Sequence, residues 1–209
     1  KWHLSDDPIP YGFDANFGGL KWGAPKSYFS PYRNPKLKDG PKGEHLPARL
    51  ASDLCHWIRN AQKKNERFFV YFPFYSVHTP IQARADLTAR YTGKSGTHHR
   101  NAKYAAMIEA MDLAVGQILD LLDELKLASN TLVVFTSDNG PHGAVSNAKP
   151  LRGSKGMFYE GGIREPFLVR WPGRIPPASR LDTVIHQVDL LPTFAAVSGA
   201  RPPERLDGL

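Results

Sequence analysis

Residues 1–47 carry almost no hydrophobic period. Gly, Pro, Asn, Lys and aromatic residues follow one another without regular spacing, which predicts long ordered loops of the kind that build binding sites. The pattern changes at Leu50. Leu50, Leu54, Trp57, Ile58 and Ala61 recur at helical spacing, and Met107, Met111, Ala114, Val115, Ile118, Leu121, Leu122 and Leu125 trace the apolar face of a longer helix. Three continuous apolar runs, 68–72, 131–136 and 166–171, predict buried strands. A last helix is predicted over 189–197, with Gly199 placed to stop it. This alternation implies an α/β fold: a mostly parallel central sheet flanked by helices, with a core portion over 48–209 behind the loop-rich segment 1–47. Ligands of such sheets bind beyond the carboxyl ends of the strands, so the loops after Phe74 and Ser137 are where chemistry is expected.

Composition narrows the possible partners. The 209 residues suffice for one substantial core, and no apolar run approaches the roughly 20 residues of a membrane span. Cys55 is the sole cysteine, so neither an internal disulfide nor a multi-cysteine metal site is expected. Its amphipathic helical surroundings predict a small packed residue. An excess of 27 Lys and Arg over 20 Asp and Glu gives a net charge of +7, which favours anionic partners. The basic residues are scattered and match no zinc-finger or RNP-like pattern, which argues against nucleic acid. No basic-then-apolar leader precedes Lys1, so any signal peptide is expected upstream.

Several residues carry candidate chemistry. Asp138 and Asn139 follow a predicted strand and offer hard oxygen ligands suited to Ca²⁺ or Mg²⁺, although Asn-Gly is also a turn signal and two oxygens are too few for Ca²⁺. His78, in Ser76-Val77-His78-Thr79-Pro80, stands where an imidazole can protonate a leaving group or simply bond to backbone. Lys155, in Arg152-Gly153-Ser154-Lys155-Gly156, can meet an oxyanion or remain a solvated surface lysine, and the motif is not a Walker A loop. His142 can line the same pocket. Lys1 and His3 place a cation and an imidazole two residues apart. His98-His99 and Asp6-Asp7 read as solvated loop positions.

The order of these motifs carries more than any one of them. Lys1-Trp2-His3-Leu4 looks like the sulfatase motif Gly-Lys-Trp-His-Leu without its glycine. Phe68-Phe69-Val70-Tyr71 through His78-Thr79-Pro80 resembles that family's strand and histidine loop. The segment from Thr131 to Ser137-Asp138-Asn139-Gly140 is similar to its metal strand. Arg152-Gly153-Ser154-Lys155-Gly156 and the following Tyr159-Glu160-Gly161-Gly162-Ile163-Arg164-Glu165-Pro166 resemble its lysine loop and the segment after it. Trp171-Pro172-Gly173, Val188-Asp189-Leu190-Leu191-Pro192-Thr193 and Leu206-Asp207-Gly208 continue the likeness. The chain thus resembles, over essentially its whole length, the arylsulfatase-like branch of the alkaline-phosphatase superfamily.

The resemblance implies a calcium-dependent sulfuric ester hydrolase whose nucleophile is a formylglycine made from Cys or Ser. Asp138 and Asn139 look like Ca²⁺ ligands. Lys155 and His78 look like groups holding the sulfate and bridging oxygen, with His78 as acid and His142 as a further substrate contact. Lys1 and His3 look like the pair beside the nucleophile. The formylglycine motif Cys/Ser-x-Pro/Ala-x-Arg does not occur here, and Cys55 before His56-Trp57 does not replace it. The nucleophile, the paired aspartates that complete the metal site and a small carboxyl-terminal domain are therefore expected outside this chain. It reads as the later part of a catalytic domain, incomplete at both ends, inactive and weak in Ca²⁺ binding by itself, with an unpartnered sheet edge. A sulfated small molecule or polysaccharide is the implied substrate, with Arg33, Lys36, Lys38 and Lys42 as further possible contacts, and secretion or periplasmic export the implied location. The competing readings are a phosphodiesterase or phosphonate hydrolase of the same superfamily and a non-catalytic anion-binding relative.

Overall fold

A computed structural model describes residues 1–94 and 101–208; the His98-His99 pair lies outside the described residues. The chain divides into two compact units, 1–174 and 175–209. All candidate site residues belong to the first. Its helices are α1 (Leu46–Lys63), α2 (Ala85–Ala89), α3 (Ala102–Glu124) and α4 (Glu160–Ile163), and its strands β1 (Val133–Thr136) and β2 (Phe167–Arg170).

The two long helices form where their apolar stripes predicted. α1 starts four residues earlier than Leu50, because Pro47 occupies a first-turn position that needs no backbone donor. It buries Leu54, Cys55 and Ile58, which meet Leu121 of α3 in one apolar cluster, and Leu50, which joins a second cluster with Met107 of α3. Asn101 caps α3 by accepting from the backbone N–H groups of Lys103 and Tyr104. Cys55 is buried as predicted, with Sγ 3.8 Å from the Gln117 carbonyl; burial pushes its thiol pKa up, away from reactivity. The short α2 had no sequence signal and forms because Leu87 packs on Ala106 and Ala110 of α3.

The strands differ from expectation. The run 68–72 forms no ladder among the described residues. It is nonetheless extended: Phe68, Val70 and Phe72 pack on the α1–α3 cluster, while Phe69 and Tyr71 point away, 60% and 55% exposed. β1 and β2 do pair, but antiparallel, with Val133 opposite Arg170 and Thr136 opposite Phe167. Two strands cover each other's edges and not their faces, so Leu168 remains 63% exposed where full burial was predicted. Arg170 donates to Asp123 at 2.8 Å and Trp171 to the Ser129 carbonyl at 3.0 Å, tying β2 to the end of α3.

The amino-terminal loops are ordered by contacts rather than by period. Tyr28, Tyr32 and Leu37 are buried with Leu46, Leu50, Tyr75 and Met107. His45, which precedes α1, is buried against Tyr28 and Phe29 at ring-centroid distances of 6.2 and 5.0 Å. In the second unit, α5 (Leu190–Ser198) begins one residue after the predicted start and ends at Gly199, whose left-handed φ of 71° closes it.

Burial lowers the His45 pKa from 6.5 to about 4, with Arg84 adding to the effect and Asp86 opposing it. Below pH 6.5 the unfolded chain takes up a proton that the folded chain refuses until about pH 4. Stability therefore falls as pH drops through that window, by about 1.4 kcal/mol per unit at most. Denaturant unfolding at pH 7 and pH 5 should show a loss of about 2 kcal/mol, and His45→Phe should flatten the difference.

Candidate active site

The connection between β1 and β2 carries most of the candidates. Because Thr136 faces Phe167, the chain leaves and re-enters the strand pair at one end. Continuing the register places Asp138 opposite Glu165. Burial raises the Glu165 carboxyl pKa, and the nearby Asp138 charge raises it further. Glu165 Oε1 is buried without a hydrogen-bond partner. Glu165 was not singled out from sequence; only the antiparallel register reveals its position.

Gly140 locks this turn. Its N–H donates to the Gly162 carbonyl at 3.1 Å, and a Cβ on Gly140 would stand 2.1 Å from the Gly161 carbonyl oxygen. Asn139 directs its amide nitrogen to the Gly140 carbonyl at 3.2 Å, which leaves its amide oxygen free to accept. Pro141 accepts from the Lys155 backbone N–H at 3.1 Å, so the lysine loop lies along the same turn. That loop is braced by Arg152, whose guanidinium lies 3.8 Å over the Tyr159 ring. A cavity of about 300 Å³ lies beside it, lined by Gly143, Ser146, Asn147, Gly153, Ser154 and Met157. Lys155 and His142 are both exposed. A second cavity, about 350 Å³ between α1 and α3, contains no candidate residue, and its Arg59 is bound to Glu124 at 2.6 Å.

Lys1 joins the opposite end of the sequence to this turn. Its Nζ is 3.8 Å from Asp138 Oδ2, with the lysine side chain 15% exposed and the aspartate 69%. Its main-chain nitrogen donates to Pro73 at 3.0 Å, which docks residue 1 on the extended run before His78. Tyr71 of that run lies near enough to Asp138 for the carboxylate to raise its phenol pKa, after burial as the larger cause. His3 adopts a left-handed φ of 66° and is exposed. Its N–H donates to Leu20 at 2.8 Å, and a Cβ on Gly23 would stand 2.8 Å from its Nε2, so the imidazole rests on the Gly23 backbone.

His78 is half-buried in the turn after Tyr75, and its Nδ1 lies 3.2 Å from both the carbonyl and the hydroxyl of Thr79. The fully buried Tyr28 holds this turn: its hydroxyl is 2.7 Å from the Tyr75 carbonyl and 2.9 Å from that of His78. Tyr28 was also missed in the sequence, where an aromatic residue in a loop has no distinguishing signal. The structure thus brings Lys1 within 3.8 Å of Asp138 and holds His3 against Leu20 and Gly23, His78 in the turn bound by Tyr28, and Lys155 along the Asp138 turn through Pro141. No hydrogen bond or ion pair among the described residues links His3, His78 and Lys155 to one another. Asp6 and Asp7 are engaged elsewhere, with Lys21 at 3.1 Å and Lys36 at 2.6 Å.

A family model described as Sulfatase matches residues 1–200. The chain belongs to the sulfatase family. This sulfatase-family chain is 38% identical over 191 residues to a "Sulfatase" of Formosa agariphila, which covers 84% of the chain and 34% of that protein. It is 31% identical over its whole length to the human N-acetylgalactosamine-6-sulfatase, covering 44% of that protein. A crystal structure of Ps i-CgsB in complex with k-i-k-neocarrahexaose superposes with a TM-score of 0.75 at 33% identity, covering 82% of the chain and 38% of the other. The fold is accordingly that of the sulfatases, of the alkaline-phosphatase type, and the chain spans less than half the length of these relatives.

Gly140→Ala should drive a methyl into the Gly161 carbonyl and displace the Asp138 turn, at a cost of about 1–3 kcal/mol by thermal or denaturant unfolding. Tyr28→Phe removes the hydroxyl from the His78 carbonyl and leaves the Tyr75 carbonyl with only the His78 N–H as donor, and should cost about 1–3 kcal/mol in the same measurement.

Proposed function

We propose that the protein hydrolyses sulfate esters of carbohydrates. The family match supports this, as do relatives named N-acetylgalactosamine-6-sulfatase and a similar structure in complex with k-i-k-neocarrahexaose. The observation that carries it for this chain is the approach of Lys1 Nζ to Asp138, which sets a cation and a hard-oxygen ligand at one point although 137 positions separate them.

In this reading Lys155 and His78 hold the sulfate, and His78 protonates the leaving alcohol as the S–O bond breaks. Lys1 and His3 flank the nucleophile, a formylglycine supplied from outside these residues, and His142 lines the substrate side. Fixed cations aimed at the sulfate stabilise charge that develops in the transition state. Asp138 and Asn139 would hold Ca²⁺. The donors fit a hard cation in kind: an exposed carboxylate, an amide oxygen free to accept, and a neighbouring carboxylate with an orphaned buried oxygen. They are incomplete in number, since no cluster of three His, Cys, Asp or Glu suited to a metal occurs among the described residues. When bound, the ion would polarise the sulfate oxygens. No helix among the described residues is long and apolar enough to cross a membrane; secretion or periplasmic export completes the reading.

The full-length protein should turn over an aryl sulfate faster than the matching aryl phosphate; the reverse order would favour a phosphoryl-transfer relative. Asp138→Ala should lower kcat/KM by more than about 100-fold, beyond the usual cost of losing an outer-shell partner, and chelation should mimic it reversibly with Ca²⁺. His78→Gln should reduce turnover of alkyl sulfates by about 100-fold or more while sparing esters with acidic leaving groups, which need no proton.

A further inference from the structure

The segment 20–28 connects the surroundings of the two candidate imidazoles. At one end Leu20 accepts from the backbone of Trp2 and His3, at 3.3 and 2.8 Å, and Gly23 supports the His3 ring. At the other end the Tyr28 hydroxyl holds the His78 turn, and its backbone N–H donates to Gln82 Oε1 at 2.8 Å. Both ends are therefore fixed against the site. Pro25 between them is buried, which restricts the path of the chain further.

Lys26 projects from the middle of this segment. It is exposed, and its Nζ lies 4.6 Å from the centroid of the half-buried Trp22 ring. Its neighbours are used differently: Lys21 is paired with Asp6 and Lys36 with Asp7. Among the described residues Lys26 has no carboxylate partner. An indole face orients an ammonium without neutralising it, so the full charge remains available to an anion. A lysine held this way loses less side-chain freedom on binding than one waving in solvent.

We propose that Lys26, seated on Trp22, is a second anion subsite on the rim between His3 and His78, and that it binds a further sulfate or carboxylate of a polyanionic saccharide whose ester is being cleaved. The inference rests on the sulfatase reading and adds substrate selection to it. A monosulfated aryl ester presents nothing to this position. A saccharide with a second anionic group does.

The test uses the full-length protein, a defined monosulfated oligosaccharide, its disulfated counterpart and an aryl monosulfate. Lys26→Met should lower kcat/KM for the disulfated oligosaccharide about tenfold, the worth of one charge-assisted contact, mostly through KM. Efficiency on the two monosulfated substrates should change less than about twofold, so that the ratio of efficiencies moves. Lys26→Arg should retain the preference, and Trp22→Leu should weaken it. Equal losses on all three substrates, or an unchanged ratio in Lys26→Met, would overturn the subsite and leave the sulfatase reading standing. A wild type that cleaves no sulfate ester would overturn both, before any variant is made.

Discussion

The site depends on the antiparallel register of β1 and β2. Pairing Thr136 with Phe167 makes the connection 137–166 a closed excursion whose two ends meet. Asp138 therefore faces Glu165, and the lysine loop has to return along the turn it left. Gly140 makes the closure tight, because only a residue without Cβ lets the turn reach the Gly161-Gly162 backbone. Two carboxylates placed this close repel one another. Lys1 beside Asp138 offsets part of that charge, and a bound cation would offset more.

A second constraint comes from the extended run that ends at His78. It packs one face on the α1–α3 cluster, which fixes its height over the helices, while its other face carries Tyr71 toward Asp138. Lys1 bonds to Pro73 of this run and approaches Asp138 of the β1 turn, and so links the two halves of the site. The loop segment 20–28 then joins the surroundings of His3 to the His78 turn. The loop-rich beginning of the chain is held by buried tyrosines rather than by secondary structure.

Much of this architecture was legible in the residues. The apolar stripes of α1 and α3 appeared at nearly their observed bounds, because a 3.6-residue period is a local property. Gly199 marked the end of α5, and Cys55 was identifiable as packing. The motif order Lys-Trp-His, His-Thr-Pro, Ser-Asp-Asn-Gly and Gly-Ser-Lys-Gly pointed to the sulfatase family, which the match over residues 1–200 bears out. Strand pairing was not legible in the same way. Apolar runs say that a segment is buried or extended, but direction and partner depend on distant chain, so an expected parallel arrangement proved antiparallel where β1 meets β2.

The sequence alone determined which groups are present and in what order, because helical period, turn residues and motif chemistry are written in neighbouring positions. Only the tertiary structure decided which of them meet. Glu165 opposite Asp138, Tyr28 beneath His78 and Lys26 on Trp22 are contacts across distance or around a turn. Each is set by register and packing, and neither leaves a trace in local spacing.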